Sequence, residues 1–130
     1  MKDIESQSRL INRRAKDLYD FIADFNNFEK FLPEQITEWN ATETTCSFNL
    51  PNLGKITLQM EKDDVAQTVK YISTSAPAAF ELLFEIKPET ETTCQLTLTA
   101  FADVPAFMLM MLSRPIKNFV TVLLDRITTL

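Results

Sequence analysis

The end of the chain, residues 104–130, constrains the fold more than any other segment. It is apolar and rich in helix-forming residues, and it follows a long run of segments in which apolar and polar residues alternate. Alternation with a period of two predicts strands with one buried and one solvated face, which is typical of an antiparallel sheet. A helix that follows such strands is expected to lie across the sheet. It either closes a core or leaves an apolar pocket between the two layers.

Seven segments have the strand pattern. They are residues 2–12, 36–42, 45–50, 55–63, 67–75, 79–87 and 92–102. In the first of them, Ile4 and Leu10 share one face with two serines, and the opposite face carries Glu5, Gln7 and Arg9. No interior-facing position that the alternation assigns carries a charge.

Two short helices are predicted between the first two strands. Their apolar residues, which recur at helical spacing, are Leu18, Phe21, Ile22 and Phe25 in the first helix and Phe28, Phe31 and Leu32 in the second. Asn12 is expected to cap the first helix. Asn26 with Glu29 has the pattern of a capping box for the second.

The final helix has an apolar stripe and an internal proline. The stripe consists of Leu112, Ile116, Phe119, Leu123 and Ile127. The first turns, 107–112, are apolar all round. Pro115 has no N–H and clashes with the preceding turn, so that a kink or break is expected near 113–115.

Composition excludes several classes of function. The net charge is −5, which disfavours nucleic acid and anionic membranes as partners. There is no His and only one Gly, which excludes dinucleotide and P-loop motifs, and no zinc site or cofactor is expected. Cys46 and Cys94 are expected to be reduced and buried. We expect a cytoplasmic protein without membrane insertion, because no signal is present at the N-terminus and the longest apolar run, 104–112, is too short to span a bilayer.

The order of strand, two short helices, six strands and long helix resembles the START-like, or SRPBCC, superfamily. The resemblance is strongest at residues 12–36, NRRAKDLYDFIADFNNFEKFLPEQI. It is closest to small bacterial members and more distant to polyketide cyclase/dehydrase-like and coenzyme Q-binding-like members. It implies one α+β domain over 1–130, with the helix-grip fold: a seven-stranded antiparallel sheet curled around a long C-terminal helix. In many relatives the space between sheet and helix holds a lipid, a polyketide or another apolar ligand.

Candidate ligand contacts follow from the predicted inward positions and from this resemblance. They are Phe48, Leu58, Met60, Tyr71, Ser73, Phe80, Leu82, Phe84, Leu98, Met111, Ile116, Phe119 and Leu123. The apolar members either line a pocket or form a filled core, because interiors pack densely. Tyr71 and Ser73, if they face inward, would orient the ligand; otherwise they are satisfied core or edge hydroxyls.

The sequence therefore predicts non-covalent binding of a small apolar molecule. Met-rich residues 107–111 would open and close the entrance, with Pro115 as the hinge. Two alternatives stay open. The apolar segment 104–112 could instead bind a protein partner, including a second copy of the chain. A cyclase-type enzyme is the third reading, although the lack of charged interior residues argues against hydrolase or transferase chemistry.

Overall fold

In the computed structural model, residues 2–32, 34, 36–50, 54–75 and 79–130 are described. Seven strands and three helices follow one another in the predicted order, with a short 3-10 helix at Glu29–Phe31 after the second helix. The strands are β1 (Lys2–Ile11), β2 (Thr37–Ala41), β3 (Thr45–Leu50), β4 (Gly54–Asp63), β5 (Thr68–Ser75), β6 (Ala79–Pro88) and β7 (Cys94–Asp103). The helices are α1 (Ala15–Ile22), α2 (Phe25–Phe28) and α3 (Ala106–Thr128). The predicted α+β, helix-grip architecture is confirmed.

The strands form one antiparallel sheet in the order β1-β7-β6-β5-β4-β3-β2. All neighbours except β1 and β7 follow one another in sequence, so that β1 and β2 are the two edges. The β2 edge is short and irregular: its pairing with β3 shifts between Thr37 and Asn40, and Glu38 has a φ of 56°. Such irregularities interrupt the regular pairing surface of an edge strand.

The core lies on the inner face of the sheet, under the three helices. Alternate residues of the central strands are buried there, such as Ile56, Leu58 and Met60 on β4. This confirms the alternation seen in the sequence, because residues two apart in a strand share a face.

The inner face of β1 differs from the rest. Gln7 and Arg9 lie opposite Leu98 and Leu96, whose side chains point into the core. Leu10, in contrast, lies on the outer face and is 60% exposed. The charged face of β1 therefore turns toward α3, and the expectation that no interior-facing position is charged is wrong.

The helix caps also differ from the prediction. α1 has Arg14 at its N-cap without a side-chain hydrogen bond, so Asn12 is not the cap. At α2 the carboxylate of Asp24 accepts a hydrogen bond from the backbone N–H of Asn26 at 2.9 Å. Asp24 thus caps α2, and Asn26 is inside the helix rather than at its N-cap.

α3 runs without a break from Ala106 to Thr128, and Pro115 lies inside it. The predicted break is therefore absent. Its buried residues are Val120, Leu123, Leu124 and Ile127, all in the C-terminal half. By length and composition α3 is apolar enough to cross a membrane, but this is weak evidence, because helices that pack in protein cores pass the same test.

Candidate ligand site

A cluster of aromatic rings fills the inner face beneath α1 and α2. Tyr71 is at its centre: the ring centroid of Tyr71 lies 4.6 Å from that of Phe25, 5.0 Å from that of Phe28 and 4.7 Å from that of Phe84. Phe28 also meets Phe48 edge to face, at 6.3 Å. Rings at these separations attract one another and leave little room between them. This half of the interior is therefore core, not ligand space.

The hydroxyl of Tyr71 is used by the fold. It donates a hydrogen bond of 2.7 Å to the backbone carbonyl of Ile22, the last residue of α1. Terminal carbonyls of a helix lack partners within the helix, so this bond satisfies one of them. Burial raises the pKa of Tyr71 well above its ordinary value, and the hydroxyl stays neutral. A ligand-orienting role for Tyr71 is not available in this arrangement.

Ser73 is also occupied. Its hydroxyl oxygen accepts a hydrogen bond of 2.9 Å from the backbone N–H of Phe80, across the β5–β6 pair. The two polar residues predicted to orient a ligand thus serve the core and the sheet. The Tyr71 hydroxyl is also the candidate proton-transfer group of the cyclase hypothesis, and it is occupied by the bond to Ile22.

The other predicted contacts fall into three groups. Those buried within the core are Phe48, Leu58, Met60, Leu82, Phe84, Leu98 and Leu123. Phe80, Ile116 and Phe119 are partly buried and pack against that core. Met111 is 73% exposed, so the structure places it on the outer side of α3 rather than in the interior.

The N-terminal half of α3 is less buried than its C-terminal half, which holds all the buried residues of the helix. Phe107 is 69% exposed and Met110 is 82% exposed. We call this part of the molecule the open end: it is the end of the sheet where β7 finishes and α3 begins. There the inner face of β7 changes from leucine to alanine, at Ala100 and Ala102. Small buried side chains on β7 and the exposed first turns of α3 distinguish this end from the aromatic half.

A row of polar side chains joins β1 to α3, and we call it the polar seam: Glu5, Gln7, Arg9, Thr121 and Asp125. The amide nitrogen of Gln7 donates to the hydroxyl of Thr121 at 2.8 Å and to a carboxylate oxygen of Glu5 at 3.0 Å. Arg9 pairs with Asp125 at 3.5 Å. Sequence reasoning missed the seam as a part of the interior. The available signal was that Ile11, which is 1% exposed, shares strand parity with Arg9, Gln7 and Glu5.

Two shallow depressions lie elsewhere. One, of about 390 Å³, is bordered by polar residues of β5, β6 and β7 that include Glu85, Gln95 and Thr97. The other, of about 140 Å³, lies at the β2–β3 hairpin beside Cys46. Neither is bordered by α3. Among the described residues, no group of three or more Cys, Asp or Glu side chains is placed to hold a metal ion.

Comparison with solved structures identifies the fold. A START superfamily protein from Mycobacterium smegmatis aligns over 96% of this chain and 96% of its own, with a TM-score of 0.73 and 12% identity. Norcoclaurine synthase from Thalictrum flavum, a point mutant in complex with a transition-state analogue, aligns over 99% and 95%, with a TM-score of 0.79 and 8% identity. The di-domain ARO/CYC protein BexL, from the BE-7585A biosynthetic pathway, aligns over 99% of this chain and 46% of its own, with a TM-score of 0.77 and 14% identity.

No family model and no curated protein sequence matches the chain. At these identities the likeness concerns the fold, and it shows a START-like, helix-grip fold. The fold that the sequence resemblance implied is thereby confirmed. Function has to be argued from the site, because one fold hosts many activities.

Proposed function

We propose that the protein binds a small, largely apolar molecule at the open end, between the inner face of the sheet and the N-terminal half of α3. One observation carries the proposal: the first turns of α3, residues 107–112, are apolar, yet all the buried residues of the helix lie in its C-terminal half. Apolar surface on a helix is normally covered. A ligand that enters beneath the N-terminal half would cover the part that the protein's own core leaves partly exposed.

The site proposed here is smaller than the sequence suggested. Its floor is Ala100 and Ala102, and its walls are the partly buried Phe80, Ile116 and Phe119. A molecule that buries about 300 Å² of apolar surface gains about 7.5 kcal/mol at about 25 cal/mol per Å². Association and ordering offset at least about 4 kcal/mol of this. We therefore expect weak to moderate affinity, as for a carrier that must release its ligand.

Entry requires the N-terminal half of α3 to move away from the sheet. Pro115 has no N–H to donate to the carbonyl of Met111, one turn earlier, so the helix lacks one of its bonds at this point. The C-terminal half is held by buried residues and by the polar seam. We therefore propose Pro115 as the hinge and residues 107–111 as the moving part. Met side chains suit such a part because they are flexible.

Likeness of fold supports a small-molecule role. Norcoclaurine synthase, with a similar fold, was solved in complex with a transition-state analogue. The START superfamily protein and BexL share the same architecture. These proteins set the class of function that is most worth testing, and the residues above set the place.

The first test is native mass spectrometry of freshly purified protein, followed by organic extraction. A reproducible added mass of small-molecule size, lost on denaturation, would support the proposal. The second test uses the fluorescent probe N-phenyl-1-naphthylamine. We expect Ile116→Trp to weaken probe binding about tenfold by filling the site. Asn118→Trp, at an exposed position of the same helix outside the moving part, is the matched control and should bind like the wild type.

Equal binding by both variants and the wild type would refute this location of the site. Failure of the wild-type protein to bind the probe saturably, together with a clean apo mass, would count against the function itself. Circular dichroism of both variants would verify that α3 is intact.

A second function is favoured by the exposed stripe Phe107, Met110 and Met111. These residues are spaced at i, i+3 and i+4, so they share one side of α3, and each is mostly exposed. The stripe could bind a second copy of the chain or another protein. Sedimentation at several concentrations separates the readings: a dimer that Met110→Gln with Met111→Gln abolishes would favour an interaction module, and a strict monomer would count against it.

A further inference from the structure

We infer that the bound molecule carries a hydrogen-bond donor, as a hydroxyl or an ammonium group, beside its apolar body, and that Glu5 accepts it. This inference rests on the proposed function and adds the chemical class of the ligand. It makes Glu5 a specificity-determining residue. It begins from the position of Glu5 in the sheet.

Glu5 lies next to the proposed site. It pairs across β1 and β7 with Ala100, whose methyl group forms the floor. The pairing shifts between Asp3 and Glu5, and from Glu5 onward the parity of β1 turns Glu5, Gln7 and Arg9 toward α3. Glu5 is half-buried. Its carboxylate therefore lies on the face of the sheet that α3 covers, next to the proposed apolar floor.

The charges of the polar seam are balanced except at Glu5. Arg9 is paired with Asp125, whereas Glu5 is in no ion pair within the part of the chain that the structure describes. Lys2, at the same edge of the sheet, and Lys117, on the same side of α3 as Thr121, are both exposed. Neither of these lysines pairs with Glu5.

Gln7 fixes one of the two carboxylate oxygens of Glu5. The Gln7 amide is held by Thr121 and donates to Oε2 of Glu5 at 3.0 Å. The other oxygen has no hydrogen-bond donor among the described residues. A charged acceptor with an open position, next to apolar surface, favours a donor and repels a ligand carboxylate.

The experiment uses three ligands with the same alkyl chain: decan-1-ol, decylammonium and decanoate. Each is titrated against protein with bound N-phenyl-1-naphthylamine, and the loss of probe fluorescence gives its relative affinity. For the wild type we expect the alcohol and the ammonium to displace the probe at about tenfold lower concentration than decanoate, as for one hydrogen bond to a charged group. In Glu5→Gln we expect this difference to disappear. Glu61→Gln, which removes an exposed charge from the outer face of β4, is the matched control and should keep the wild-type order.

Each outcome separates the two proposals. If the probe binds and Glu5→Gln keeps the wild-type order, or if decanoate is the best competitor of the wild type, the inference about Glu5 is wrong while the binding function stands. If Glu61→Gln removes the preference as fully as Glu5→Gln, the effect belongs to net charge and not to the site. If the wild type does not bind the probe at all, both proposals fail.

Discussion

Replacing Tyr71 with Phe tests whether this hydroxyl serves the fold or a ligand. The hydroxyl donates to the carbonyl of Ile22 at 2.7 Å, and neither residue is exposed to solvent. Phe keeps the ring contacts but leaves the carbonyl without this donor. An unsatisfied buried carbonyl costs about 1–3 kcal/mol. We therefore expect Tyr71→Phe to lower the free energy of unfolding by that amount, measured by urea denaturation followed by circular dichroism.

Tyr19→Phe is the matched control. The hydroxyl of Tyr19 donates to Asp64 at 2.5 Å, but Asp64 is exposed and water can replace the lost donor. Its loss should therefore cost only about 0.5–1.5 kcal/mol. The reasoning would be refuted if Tyr71→Phe unfolded at the wild-type urea concentration while its binding of N-phenyl-1-naphthylamine was lost. That result would return Tyr71 to the ligand site, where the sequence placed it.

Three further expectations follow from the same structure. Burial, followed by the hydrogen bond to Asp64, raises the pKa of Tyr19 from 10.0 to about 12. The neutral Tyr19 hydroxyl therefore contributes its full stabilisation of the fold below about pH 10, and this contribution is lost as the pH rises through about 12. Urea midpoints of the wild type and Tyr19→Phe should converge over this range, and a constant gap would contradict it. Pro115→Ala should raise the free energy of unfolding by about 1–3 kcal/mol, since alanine restores the helical N–H. A free energy of unfolding no higher than that of the wild type would mean that the proline does not destabilise the helix. Leu123→Ala should lower the free energy of unfolding by about 2–5 kcal/mol, because Leu123 is fully buried. Met110→Ala should change it by less than about 0.5 kcal/mol, because Met110 is mostly exposed. Equal losses of stability in urea denaturation would contradict the weaker burial of the N-terminal half of α3.

The strands could be located from the sequence because their alternation is determined locally. On β4, β6 and β7 the apolar residues recur every second position, and the observed strand bounds differ from the predicted ones by a few residues at most. Because the helices bury one face of the sheet, a shift of such a strand by one residue would expose its apolar side chains, so only one register is stable. The same holds for α3, whose apolar stripe shares the helical period.

The face of β1 could not be assigned in this way. Its inward side is polar, and it is tolerated there because Gln7 and Arg9 find partners on α3, at Thr121 and Asp125. Those partners lie more than one hundred positions later in the chain, so a local pattern carries no sign of them. The extent of the site was missed for a similar reason: whether large side chains line a cavity or fill it depends on how the rings meet. Around Tyr71 the aromatic rings contact one another and fill the interior.

The pairing of β1 with β7 has a consequence for how the chain is made. Ser6 and Thr99 are hydrogen-bonded neighbours in the sheet although they are 93 positions apart. During synthesis at about 5–20 residues per second, β1 waits roughly 5–20 s for its partner strand to be added. Throughout that interval the outward Leu10 and the unpaired backbone of β1 are open to other chains. Closing so long a loop also slows folding. The β1 edge of the sheet is therefore completed only after β7 has been synthesised.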